Sequence, residues 1–100
     1  MLYVVNLHAR IMALINEDRW GLTWHANESI QERELEIWQI VGLTPEGRLL
    51  REIADAKPRP KVDVQITLPD GTLAKTIWAY DAHMNKAILI TLHFLGRERP

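Results

Sequence analysis

The stretch that most limits what this chain can become runs from Lys61 to Leu95, where two runs of alternating apolar residues flank an Asp70-Gly71 dipeptide. Asp-Gly in that setting is a strong hairpin signal, because the central residues of a tight strand-to-strand turn take positive φ. A two-residue turn there pairs Leu68 with Leu73, Ile66 with Lys75, Val64 with Ile77 and Val62 with Ala79. Strand side chains alternate, so these pairs share one side of the sheet. The next hairpin adds Ile88, Ile90, Leu92 and Phe94 to that side. The other side collects Asp63, Gln65, Thr67, Thr76, Trp78, Tyr80, Leu89, Thr91 and His93. The apolar side requires a helical cover, and the mixed side is free to meet solvent or a ligand.

The N-terminal part supplies the cover. Val4, His8, Ile11, Met12 and Ile15 recur at helical spacing, which predicts a helix from about Val4 to Asn16; Leu2 to Val5 read alone would also suit a short strand. Trp20 to Trp24 reads as an extended or looped connector. Ile30, Ile37, Trp38 and Val41 share a second helical face, with Asn27 or Ser29 as its cap, Glu32 completing a capping box and Gly42 as a left-handed stop. A break near Glu34-Leu35 divides that segment into two shorter helices. Thr44-Pro45-Glu46 has the form of a helix start, whereas Gly47 and the residues after it read as a turn into a strand. The loop of residues 54–60 is basic and punctuated by prolines, and the tail from Gly96 to Pro100 reads as frayed. The expected fold is α+β and a single domain over residues 1–100. Two N-terminal helical segments (1–42) pack on one face of a four-stranded antiparallel β-meander (47–95).

Bulk properties narrow the chemistry. The chain has no cysteine, which removes disulfides, thiolate nucleophiles and cysteine zinc sites. No apolar run reaches the roughly 18 residues of a membrane span, and the first ten residues lack the form of a signal peptide. A cytoplasmic protein is expected. The net charge is −1, but residues 1–46 carry three basic and seven acidic side chains, and residues 47–100 carry nine and six. The sheet half is therefore the one suited to an anion.

Over nearly its full length the chain resembles a bacterial and phage domain family of unassigned function. That family's hallmark is His-Ala-x-x-Arg-Met-x-Glu-Arg-Gly on a helix, followed by a proline-containing loop and a meander. Here the hallmark stands as His25-Ala26 and Glu32-Arg33 at the same offsets, with KPRPKVDV, LPDGTLAKTIWAYD and AILITLH following. Ser29-Ile30 replaces Arg-Met, Glu34 replaces the glycine, Lys75 stands where many relatives have histidine, and His93 lies near their terminal tyrosine. The proposed relatives of that family are the RelE-like and BrnT-like ribonuclease toxins. The resemblance implies helices packed on an antiparallel sheet, RNA on the open side, and a strand over Arg48 to Ile53.

Metal-free RNA cleavage needs a base for the 2′-hydroxyl, an acid for the leaving oxygen and cations for the phosphate. Histidine serves the first two because it titrates near neutrality. His25 and His93 are the candidate pair, Arg33 the candidate phosphate fork, and Lys75 and Arg51 further cations. Trp78 and Tyr80 on the open side are candidates to stack bases. Each has a plainer reading: His25 as a capping or packing residue, His93 as an exposed strand residue, and Arg33 as an ion pair with Glu32 and Glu36. Lys75 would then pack its stem on the covered face, and Trp78 with Tyr80 would form a dimer contact. No metal-ligand spacing, phosphate loop or nucleophile elbow is present, and no cofactor is implied. Two functions follow: a RelE-like ribonuclease toxin, active or degenerate, with RNA and an antitoxin as partners, or a non-enzymatic interaction module that forms a homodimer or binds another protein.

Overall fold

Leu7, Ile11, Leu14 and Ile15 fall on one helical stripe, and in the computed structural model, which describes residues 6–96, all four are buried. They form the inner face of α1 (Leu7–Asn16), capped by the Asn6 side chain, which accepts from the Ala9 N–H at 3.3 Å. The expected positions Val4 and Leu2 to Val5, and most of the tail, lie outside the described residues. Helix α1 ends in a Schellman turn: Asp18 is left-handed (φ 61°), and the Arg19 N–H reaches back to the Leu14 carbonyl at 2.8 Å.

The chain then forms β1 (Trp20–Leu22), α2 (Trp24–Glu32), α3 (Ile37–Leu43), a 3₁₀ turn (Thr44–Glu46), β2 (Arg48–Ile53), β3 (Lys61–Thr67), β4 (Leu73–Asp81) and β5 (Lys86–Leu95). The α+β class and the β2–β5 meander agree with expectation. The full count differs, with three helices and a five-stranded mixed sheet in the order β1-β5-β4-β3-β2. Strand β1, expected only as a connector, pairs parallel to β5 through Trp20–Ala87, Gly21–Ile88 and Leu22–Leu89. Among the described residues no helix is long and apolar enough to cross a membrane.

Local chemistry explains the breaks. Thr23, not Asn27 or Ser29, caps α2: its hydroxyl accepts from the Ala26 N–H at 3.0 Å. Ser29 is buried inside the helix. A second Schellman turn closes α2, with Glu34 at φ 56° and the Leu35 N–H on the Ile30 carbonyl at 2.9 Å. The expected break therefore lies at Glu34-Leu35. Gly42 does not stop α3, which continues through it to Leu43. Thr44-Pro45-Glu46 satisfies both of its conflicting signals, making one 3₁₀ turn and then yielding to β2. Gly47 is required there, because a Cβ would sit 2.6 Å from the Gln65 carbonyl oxygen of β3.

The decisive departure is at the hairpin. Residues 69–71 form a three-residue loop, not a two-residue turn: the Gly71 N–H donates to the Leu68 carbonyl and the Leu68 N–H to that of Thr72, both at 2.8 Å. Pro69 sets the φ of the first turn position, and only Gly71 (φ 89°) is left-handed. The register becomes Ile66–Ala74, Val64–Thr76 and Val62–Trp78, one residue away from the expected pairing. Because the strand period is two, that slip moves every β4 side chain to the opposite face. Ala74, Thr76, Trp78 and Tyr80 turn toward the helices, while Leu73, Lys75, Ile77 and Ala79 turn away from them.

Trp78 is therefore buried in the core with Val62, Val64, Ile66, Leu89, Leu92 and the helix residues, and Tyr80 packs against that core. Neither is an open-face platform for RNA or for a partner. The indole N–H of Trp78 donates to the Thr76 hydroxyl at 3.1 Å, and Thr76 donates to the Val64 carbonyl at 2.9 Å. This relay removes the cost of burying both polar groups. A bulge at Ile90 shifts the β4–β5 register between Ile77–Thr91 and Trp78–Leu89. It brings Leu89 to the helix side and leaves Ile88 on the other. Leu92 and Phe94 remain inward, and Thr91 and His93 outward, as expected.

Candidate functional site

The face turned away from the helices is built by cross-strand rows. One row joins Arg48 of β2, Gln65 of β3, Lys75 of β4 and His93 of β5; the next joins Arg51, Asp63, Ile77 and Thr91. The face corrected for Trp78 and Tyr80 thus gains Lys75, which the two-residue turn would have placed under the helices. Lys75 and His93 are direct partners across an antiparallel pair, where Cβ atoms stand roughly 5 Å apart.

Helix α2 lies along the outer edge of β5 beyond β1. Thr23 fixes it there, because the hydroxyl that caps α2 also donates to the Ile90 carbonyl at 3.0 Å. This anchor brings His25 and Arg33 to the β5 end of the row. His25 is exposed in the first turn of α2 and is not the cap. Arg33 does not pair with Glu32 or Glu36. It donates to the Ser29 carbonyl at 3.1 Å and lies over the Phe94 ring, 5.3 Å from its centroid. A cation–π contact of that kind holds a guanidinium in place without neutralising it.

His93 records this gathering of charge. Its side chain is exposed, yet its pKa lies below the ordinary 6.5. Partial desolvation of the ring against the sheet is the largest cause, followed by the positive charges of Lys75, Arg33 and His25, with Asp63 opposing them. The shift favours the neutral imidazole, the form that accepts a proton.

Arg51 pairs with Asp63 across β2 and β3, Nε to Oδ2 at 3.6 Å, and is itself exposed. It lies one row from Lys75 and is partly committed to that carboxylate. Sequence reasoning placed Asp63 and Thr91 on this face but missed their condition. Both are buried, and Asp63 Oδ1 and Thr91 Oγ1 have no hydrogen-bond partner. Periodicity alone could assign them a face but not a partner.

Lys75, His93 and Arg51 thus share the face turned away from the helices, Arg33 and His25 come from α2 near enough to influence His93, and Trp78 and Tyr80 are excluded from that face. Among the described residues no group of three His, Asp or Glu side chains is placed to hold a metal ion. Compared with known family signatures, curated proteins and solved structures, the chain shows no match.

Proposed function

We propose that the open face binds single-stranded RNA and cleaves it without a metal, as a RelE-like ribonuclease would. The observation that carries this reading is the cross-strand pairing of exposed His93 with Lys75, with Arg33 and His25 near enough to help lower the histidine's pKa. His93 takes the proton of a 2′-hydroxyl, and the freed oxygen attacks the adjacent phosphorus. Lys75 and Arg33 hold the charge that builds on the phosphoryl oxygens. The bond to the 5′-oxygen breaks, and that oxygen receives a proton, with His25 as the proposed donor. The products are a 2′,3′-cyclic phosphate and a 5′-hydroxyl.

Two features support the resemblance behind this reading. Glu34, standing where the resembled family has glycine, holds the left-handed conformation that glycine adopts most easily. A strand also runs from Arg48 to Ile53, as that resemblance implies. An antitoxin partner and a cytoplasmic setting belong to the same proposal.

The test is incubation of the purified protein with a labelled RNA oligonucleotide, alongside His93→Ala, His25→Ala and Lys75→Gln. Cleavage leaving cyclic-phosphate ends, reduced by roughly 10²–10⁴-fold on loss of either histidine, is the expected result. Undiminished cleavage by His93→Ala would remove the assignment.

A second reading has its own observation. Trp24 is 75% exposed and Trp38 66% exposed, and Trp38 meets Trp20 of β1 edge-on at 5.4 Å. Bare tryptophans are common anchors of protein interfaces, so an interaction module would work through this helical edge and not through the sheet. Light scattering of wild type and Trp38→Ala measures whether this edge self-associates.

A further inference from the structure

The open face continues past the Lys75–His93 row to a cleft of about 90 Å³ lined by Lys57, Pro58, Arg59, Lys61, Ala79 and Ile90. Its floor is aliphatic and its rim cationic. Lys61 and Ala79 are cross-strand partners, two rows beyond Gln65 and Lys75 on the same face. Ile90 is the bulged residue of β5, and the bulge exposes it here; without it, Ile90 would add to the regular ladder. Arg59 is committed to Asp81 at 3.4 Å, which braces the loop against the end of β4. Lys57 and Lys61 have no ion pair among the described residues, so the two lysines are the cations available to a ligand.

Four residues of β4 separate Lys75 from Ala79, about 13 Å at roughly 3.3 Å per residue. One phosphate cannot touch both places, whereas one short strand of RNA can. Between them lies the row of Asp63, Ile77 and Thr91, whose carboxylate is paired with Arg51 and turned from solvent. Resting on the ribonuclease reading above, we propose that this cleft is a second RNA subsite. Lys57 and Lys61 hold a phosphate remote from the cleaved one, and Ala79 with Ile90 supports the face of its nucleotide. The subsite gives long substrates an advantage that a dinucleotide cannot use.

The experiment measures binding apart from chemistry. Labelled RNAs of two and six nucleotides are titrated against His93→Ala and against His93→Ala carrying Lys57→Gln and Lys61→Gln, over a range of salt concentrations. The added substitutions should weaken hexanucleotide binding about tenfold and, by removing one phosphate contact, lower its salt slope by about 0.7 on a single strand. Dinucleotide binding should not change. Lys57→Gln alone, in an exposed loop where folding is not at stake, should lower the slope by about half as much. If the wild type cleaves RNA but the lysine changes leave hexanucleotide binding and slope intact, the subsite is overturned and the ribonuclease reading stands. Absence of both cleavage and binding by the wild type overturns both. A polyglutamate peptide that binds as tightly as the hexanucleotide, with the same dependence on the lysines, would make the cleft a general anion site and overturn its assignment to RNA.

Discussion

The two faces of this sheet are made from neighbouring residues of the same strands, yet they obey different rules. On the helix side, Val62, Val64, Ile66, Trp78, Leu89 and Leu92 are buried, and the polar atoms of Thr76 and Trp78 are paired with one another or with backbone. On the other side lie Lys75, His93, Arg51 and Lys61, with two buried oxygens left without partners. Within the sheet, the buried polar groups of the first face are paired and two of the second are not, although His8 Nε2 of α1 also lacks a partner on the helix side. The contrast shows where to look for function: on the side where charged side chains gather, and not wherever the aromatics stand.

Three substitutions would break or sharpen that contrast. Trp78→Ala should have the largest effect, destabilising the fold by about 3–5 kcal/mol through the cavity left in the core. Urea unfolding measures it, and a loss below about 1 kcal/mol would contradict the inward placement of β4. Gly71→Ala should cost about 1 kcal/mol, because φ at that position is 89° and alanine resists the left-handed region. The same denaturation experiment applies, and an unchanged midpoint would argue against a left-handed Gly71.

The smallest effect concerns protons. His93 titrates below 6.5 when folded and at about 6.5 when unfolded, so around and below that pH the unfolded chain binds more protons. Stability attributable to His93 is thus complete above the unfolded value. It declines as pH falls through about 6.5 and levels off below the folded value. Lys75→Gln removes one of the causes and should raise the folded value toward 6.5, narrowing that window. An NMR titration of the His93 ring reads the shift directly. A titration indifferent to Lys75 would separate the two side chains that the register places together.

Much of the architecture was legible in the chain because it is local. The stripe from His8 to Ile15, the break at Glu34-Leu35 and the alternation from Lys61 to Thr67 all reflect spacing within a few residues. What misled was a single turn. Asp70-Gly71 is a strong two-residue signal, but Pro69 before it favours the first position of a longer loop, and that one residue inverted the faces of β4. Trp78 and Lys75 exchanged sides for that reason. The Ile90 bulge and the parallel pairing of β1 with β5 were illegible because both depend on contacts between distant segments. His25, Arg33 and His93 could be nominated from residue type and resemblance. Their gathering depends on Thr23, whose dual hydrogen bonding is invisible until the helix and strand are docked.

The link between Thr23 and Ile90 spans 67 positions of sequence, and among the described residues β1 pairs with no strand but β5. During synthesis, the early part of the chain must therefore wait for β5 to leave the ribosome before it can dock. Over that interval Trp20 and Leu22 lack their native cover. Since β4 waits for β5 as well, one late strand closes both halves of the protein at once.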